Sequence, residues 1–155
     1  MKEFIKKNLP LFIVSVVLLL VLLSSLTIYF VKNNSKSYVF IFPSADNGSY
    51  VVERRNLSND SAQGELNYYI DELLLGSSVE RTKLIFTSGT KVNSCFLRDD
   101  VLYLDISEDL LSIDETSYPI ENGIKLLKEN IFKNFINIDK VELFIGKRFV
   151  ASLEK

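Results

Sequence analysis

From Leu9 to Val31 the chain carries 23 residues without a charged side chain, and no other feature restricts its fold as much. About 20 apolar residues rising 1.5 Å each cross a hydrocarbon core of ~30 Å. Only a helix closes all its backbone hydrogen bonds within one such segment. Pro10 stands in the first turn, where a missing N–H costs nothing. Tyr29 and Phe30 stand near the far end, where aromatic rings suit a membrane interface. A core helix is a poor alternative, because a helix apolar on every side needs apolar neighbours on every side. A cleaved signal peptide has a shorter apolar stretch, roughly 7–15 residues, closed by small residues. Here Ser24-Ser25 leads into Leu-Thr-Ile-Tyr-Phe, and no cysteine follows the run to accept a lipid. The expectation is an uncleaved anchor over residues 9–31, in contact with the bilayer.

Lys2, Lys6 and Lys7 precede this run, and Lys32 and Lys36 follow it. That bias, with a short N-terminal tail and a large C-terminal portion, favours the N-terminus inside. Residues 1–8 then form a cytoplasmic tail and residues 32–37 a short linker. Removing Lys2, Lys6, Lys7 and Glu3 from the chain's 18 basic and 20 acidic side chains leaves 15 and 19. The C-terminal portion is therefore mildly acidic, which argues against nucleic acid as a partner. Cys95 is the only cysteine, so no internal disulfide forms. The chain has no histidine. This removes Ser–His and Cys–His nucleophile systems and the commonest zinc ligand. No cofactor, metal or catalytic set is expected, although an all-oxygen Ca²⁺ or Mg²⁺ site stays open.

Residues 38–155 read as one α+β domain. Tyr38 to Phe42 is a β-branched and aromatic run ending at Pro43, the pattern of a buried strand. Asp46-Asn47-Gly48 predicts a turn into a partner strand over Tyr50 to Arg55, followed by a polar break over Asn56 to Ser61. Leu66, Tyr69, Ile70, Leu73 and Leu74 mark one face of a helix that Gly76 stops. Lys83 to Phe86 reads as a strand, and Lys91 to Arg98 and Val101 to Ile106 as two more around Asp99-Asp100. Pro119 opens a second helix with a stripe of Ile120, Ile124, Leu127, Ile131 and Phe135. Val141 to Ile145 and Phe149 to Ser152 close the chain as a hairpin, with Gly146 placed for a type II′ turn. The order is β-β-α-β-β-β-α-β-β, and two helices on one face of a mixed sheet is its natural packing.

The chemistry-bearing residues each have a plain structural reading. Asp105 and Ser107 share one side of a strand, and the Asp105 carboxylate is expected to cap the turn at Ser107 to Asp109. Glu108, Asp109, Asp114 and Glu115 lack the spacing of a calcium loop and read as a solvated acidic loop. Glu53, Arg54 and Arg55 read as an exposed strand end. Cys95 reads as a small buried hydrophobe, without an activating base. Of Tyr68 and Tyr69, one packs inward and the other is a contact candidate.

Four segments together resemble a known family. They are Glu72-Leu-Leu-Leu-Gly76, Ser88-Gly-Thr-Lys-Val92, Asp100-Val-Leu-Tyr-Leu-Asp-Ile-Ser107 and Asp139-Lys-Val-Glu-Leu-Phe-Ile-Gly-Lys147. In this order they are similar to the GerMN domain of sporulation and spore germination, over about Ser37 to Leu153. The family's usual Gly-Pro at the helix stop is Gly76-Ser77 here. The matching positions are Gly76, Gly89, Thr90, Tyr103, Asp105, Ser107 and Gly146, and their roles are expected to be structural. The resemblance implies a non-enzymatic, extracytoplasmic domain tethered to the bacterial inner membrane. Together with the anchor and the absence of a catalytic set, it leads to the expectation of an envelope protein partner or self-association; peptidoglycan or small-ligand binding is the alternative.

Overall fold

The structure is a computed structural model that describes residues 2–32, 35–58, 62–112 and 118–155. The chain divides into two compact units, Met1–Ser35 and Lys36–Lys155.

The first unit is helix α1, Lys2–Lys32. Its segment Leu11–Tyr29 is long and apolar enough to cross a membrane, and none of it is buried inside the protein. Ser15, Ser24 and Thr27 turn their hydroxyls back onto carbonyls three residues earlier, at 2.8–2.9 Å. Each hydroxyl is thereby satisfied within the helix.

The second unit is α+β. Its elements are β1 (Ser35–Pro43), β2 (Tyr50–Ser58), α2 (Glu65–Leu75), β3 (Val92–Arg98), β4 (Val101–Ile106), a 3₁₀ turn (Glu108–Leu111), α3 (Ile120–Asn134), β5 (Lys140–Ile145) and β6 (Arg148–Glu154). Strands β1 and β2 pair alone, and the other four form a sheet ordered β3-β4-β5-β6. Strands β4 and β5 run parallel, across the α3 crossover, and the outer pairs are antiparallel.

Alternation decides which face of this sheet is dry. Leu102, Leu104 and Ile106 on β4 and Val141, Leu143 and Ile145 on β5 are buried. They join Tyr69, Ile70 and Leu73 of α2 and Leu126, Leu127 and Ile131 of α3 in one cluster. Tyr38, Phe40 and Phe42 of β1 complete that core. The opposite face of the sheet carries Phe96, Tyr103, Asp105 and Phe144 by the same period of two.

Several sequence expectations are corrected. Lys83 to Phe86 forms no strand; Lys83 N–H donates to the Pro43 carbonyl at 2.8 Å and Tyr118 N–H to the Leu84 carbonyl at 3.1 Å. Ile85 and Phe86 are buried at a bend, and the backbone of the run serves two different neighbours. Strand β2 continues through the polar segment to Ser58, because Leu57 packs into the core. Gly146 and Lys147 both have positive φ, 54° and 67°, which defines a type I′ turn rather than II′. Asp99 and Asp100 do the same at 49° and 62°.

Candidate functional site

One concavity is a groove of about 420 Å³ at one end of the domain. It is built by Lys36 at the start of β1, residues Gln63 to Asn67 at the head of α2, Cys95 to Leu97 on β3, and Asn134 to Ile138 after α3. Lys36 reaches the Glu65 carboxylate at 2.5 Å, and the Tyr38 hydroxyl donates to the same oxygen. The Lys36 hydrogen bond and then that of Tyr38 hold Glu65 below its ordinary pKa. Burial, then the Glu65 hydrogen bond, pushes the Tyr38 hydroxyl up. Asn67 Oδ1 is a buried acceptor with no hydrogen-bond partner among the described residues. Ile136 stands 80% exposed and Phe96 53% exposed at the rim. Burial, and then the nearby Asp71 charge, push the Cys95 thiol up to about 12. That is the wrong direction for a nucleophile. The groove offers packing surface and hydrogen bonds.

A second, shallower basin of about 230 Å³ lies on the open face of the four-stranded sheet. Ser94, Phe96, Tyr103, Asp105, Phe144 and Lys147 line it. The Phe96 and Tyr103 rings stack at 5.0 Å, and Phe149 meets Phe144 edge-on at 5.6 Å.

The family-motif positions fall in separate places. Gly76 ends α2 at φ 96°, where its N–H donates to the Leu73 carbonyl. Gly89, at φ 89°, makes the turn before Thr90, whose hydroxyl donates to the Thr87 carbonyl at 2.6 Å. Gly146 turns β5 into β6. Tyr103 and Asp105 come together in the sheet basin. Asp105 does not cap the Ser107–Asp109 turn; its carboxylate accepts from Lys147 N–H at 2.9 Å and the Asn93 amide at 3.3 Å. Ser107 itself binds Asp109, at 2.9 Å, and accepts from Lys91 N–H at 3.1 Å.

The Glu53–Arg55 expectation is also corrected. Arg55 lies under the strand surface, with its guanidinium 4.8 Å from the Phe40 ring and 5.5 Å from Phe42. It grips Glu53 bidentately at 2.7 and 2.9 Å and donates to the Gly76 carbonyl at 2.6 Å. Ser77 and Ser78 hydroxyls also donate to Glu53. The cluster fastens the end of α2 to β2, and it has no spare valence for a ligand. Arg54 remains exposed. Tyr69 is fully buried, and Tyr68 is half-buried against the core with the rest of its surface open. Asp114 and Glu115 lie outside the described residues. Among the described residues, no three His, Cys, Asp or Glu side chains gather as a metal site needs.

Residues that sequence reasoning missed shape both concavities. Asn67 and Ile136 carried no motif. Phe96 and Phe144 were legible only as outward positions of strands, once the sheet order was known.

Two solved structures share this architecture. The tandem GerMN domains of the sporulation protein GerM from Bacillus subtilis superpose with a TM-score of 0.56 at 16% identity, over 74% of this chain. The chain spans 40% of that tandem structure's length. The first GerMN domain of the same protein superposes with a TM-score of 0.51 at 19% identity, over 72% of this chain and 85% of the domain. The chain therefore has a GerMN-like fold. An uncharacterised lipoprotein of Treponema pallidum (strain Nichols) is 24% identical over 101 residues, which is 65% of this chain and 75% of that protein. No family model matches the chain. None of these three descriptions names an enzymatic activity.

Proposed function

We propose that this chain is a non-catalytic interaction domain of the bacterial cell envelope, held at the outer face of the cytoplasmic membrane by α1. The observation that carries the reading is α1 itself. Nineteen residues, Leu11–Tyr29, expose apolar side chains on every side, and water does not tolerate such a surface. Attached to it is a GerMN-like fold, similar to domains of a sporulation protein and to a lipoprotein. A lipoprotein is held by a lipidated cysteine, whereas the single cysteine of this chain stands in β3, so α1 takes the anchoring role. The N-terminus lies inside, and residues 36–155 lie outside with an envelope protein or a second copy as partner.

Fractionation and topology test this reading. After alkaline extraction the protein stays in the membrane pellet, and detergent releases it. A C-terminal alkaline phosphatase fusion is active, because that reporter folds only outside the cytoplasm. In-cell crosslinking traps the full-length chain with a protein partner. Recovery in the soluble fraction, an inactive fusion, or a strictly monomeric crosslinking pattern would each overturn the part it addresses.

The groove supports a second reading, a small-ligand or peptidoglycan module. Its support is Asn67 Oδ1, a buried acceptor that lacks a donor at the groove wall. Co-sedimentation of the full chain with purified cell wall, weakened by Asn67→Leu, separates this reading from the first.

A further inference from the structure

The geometry points to a ligand site on the open face of the four-stranded sheet: the basin over Asp105 takes a primary alkylammonium group, the end of a lysine side chain presented by a partner protein. The anchored-domain reading supplies only the protein nature of that partner. Amine binding in the basin stands on its own geometry, so the two fail separately.

Asp105 is 7% exposed, although it carries a carboxyl group. It accepts hydrogen bonds from two neutral donors, Lys147 N–H and the Asn93 amide. No cationic side chain forms an ion pair with it among the described residues. A carboxylate offers about four acceptor positions, so two remain after those bonds. A buried acid without a counter-charge favours any cation that can reach it.

The strand register surrounds this acid with aromatic rings. Asp105 stands between Ser94 on β3 and Phe144 on β5, and Tyr103 stands two residues earlier beside Phe96. The Phe96–Tyr103 stack, with 9° between the planes, walls one side. Phe144, braced by Phe149 at 70°, walls the other. Ring faces attract cations through their quadrupole, most strongly where water is displaced. Every side chain lining the basin except Lys147 is neutral, aromatic or acidic, and an anion would meet the carboxylate at the floor. Lys147 engages Asp105 through its backbone, not its ammonium. A recessed acceptor with open valences suits a donor on a thin stem. That describes a primary ammonium on four methylenes better than a quaternary head, which has no hydrogen to donate.

The test uses the full chain labelled with ¹⁵N-lysine in phosphatidylglycerol nanodiscs. The Lys147 amide is the reporter, because its proton is bound to Asp105. n-Butylammonium produces a saturable shift of that amide. Tetramethylammonium binds at least ~5-fold more weakly, and n-butanol produces no saturable shift. Asp105→Asn keeps an oxygen for Lys147 N–H but removes the charge, and weakens butylammonium by ~10-fold or more. Phe96→Ala, at an exposed position that folding tolerates, weakens it by about 3–10-fold. The other lysine amides report that each variant is folded. Nα-acetyl-lysine amide reproduces the butylammonium shift. No saturable shift, an equal response to butanol, or undiminished binding by Asp105→Asn overturns the site. A Lys147 shift on replacing phosphatidylglycerol with phosphatidylethanolamine, without added amine, overturns the protein-lysine assignment in favour of a lipid amine.

Discussion

The side-chain amide of Asn130 hydrogen-bonds both backbone groups of Ile41, accepting from its N–H at 2.8 Å and donating to its carbonyl at 2.9 Å. One turn later Asn134 repeats the pattern on Val39, at 2.8 and 2.7 Å. Val39 and Ile41 lie two apart on β1, so both present their polar groups at the same edge. A helix face thus does for β1 what a neighbouring strand would do. Tyr69 joins the network, donating to the Val39 carbonyl at 3.1 Å and accepting from Asn134 at 2.9 Å. The other exposed edges are defended differently: β3 has a register break at Val92/Ser94, and β6 one opposite Leu143/Phe144. Such irregularities discourage a foreign strand from adding to the sheet.

Replacing Asn130 by Leu keeps the branched shape but leaves the N–H and carbonyl of Ile41 without these partners. Each unsatisfied group costs about 1–3 kcal/mol. Asn130→Leu is therefore expected to lose on the order of 2–4 kcal/mol, read as a lower urea midpoint of the detergent-solubilised protein. Asn134→Leu, on a half-buried residue, loses less because water reaches part of the site. A neutral Asn130→Leu substitution would show that solvent already serves this edge.

Stability also carries an acid-sensitive share through Glu53. The Arg55 hydrogen bonds, opposed by burial and helped by Ser77 and Ser78, lower its pKa from 4.5 to about 2. A carboxylate depressed on folding contributes stability that is complete above its unfolded value. That share is lost as pH falls through 4.5 toward 2. The loss is expected to be on the order of 1–2 kcal/mol after solvent screening. Urea midpoints between pH 6 and pH 2.5 should fall more steeply for the native chain than for Glu53→Gln. Parallel slopes for the two would remove Glu53 from the account.

Periodicity made the helices and most strands legible, because Tyr69, Ile70 and Leu73, or Leu102, Leu104 and Ile106, report burial through spacing alone. It could not report partners. Leu84, Ile85 and Phe86 look like a strand because they are apolar, yet a ladder depends on what runs beside them. Arg55 looked solvated because its carbonyl and carboxylate partners on α2 stand 17 to 21 residues away. Asn130 sits between Leu127 and Ile131 on the buried side of α3, where a polar residue gives no hint that a strand edge needs it. The Asp105 basin was half legible: Asp105 and Tyr103 stood out together, but their rings and donors come from β3, β5 and the β5–β6 turn.

Gly123 brings α3 close against the Ile85–Phe86 segment before β3. A Cβ there would lie 2.5 Å from the Ile85 carbonyl oxygen and 2.8 Å from the Phe86 ring. The first neighbour is backbone, so it yields only if the helix shifts outward. Helix propensity alone would favour alanine by roughly 1 kcal/mol. Overpacking costs about 1–3 kcal/mol and wins here. Gly123→Ala is expected to lower the thermal midpoint, and a raised midpoint would mean that the helix is free to move away.

Cys95 separates a buried thiol from a reactive one. It lies on the core-facing side of β3, opposite Leu104 and partly shielded, and burial with Asp71 lifts its pKa from 9.0 to about 12. The thiolate is the reacting species, and its population falls tenfold for each unit of pKa. At pH 8 the native thiol should therefore react with a disulfide reagent roughly 100–1000-fold more slowly than the same thiol in urea-unfolded protein. The direction follows from the sign: a raised pKa removes thiolate at every pH below 12. Raising the pH to 9 should speed the native reaction about tenfold, since the group is still far from half-ionised. A native rate close to the unfolded rate would mean that the β3 edge opens often enough to expose this side chain. The groove beside it, which Cys95 lines, would then be a moving surface rather than a formed one.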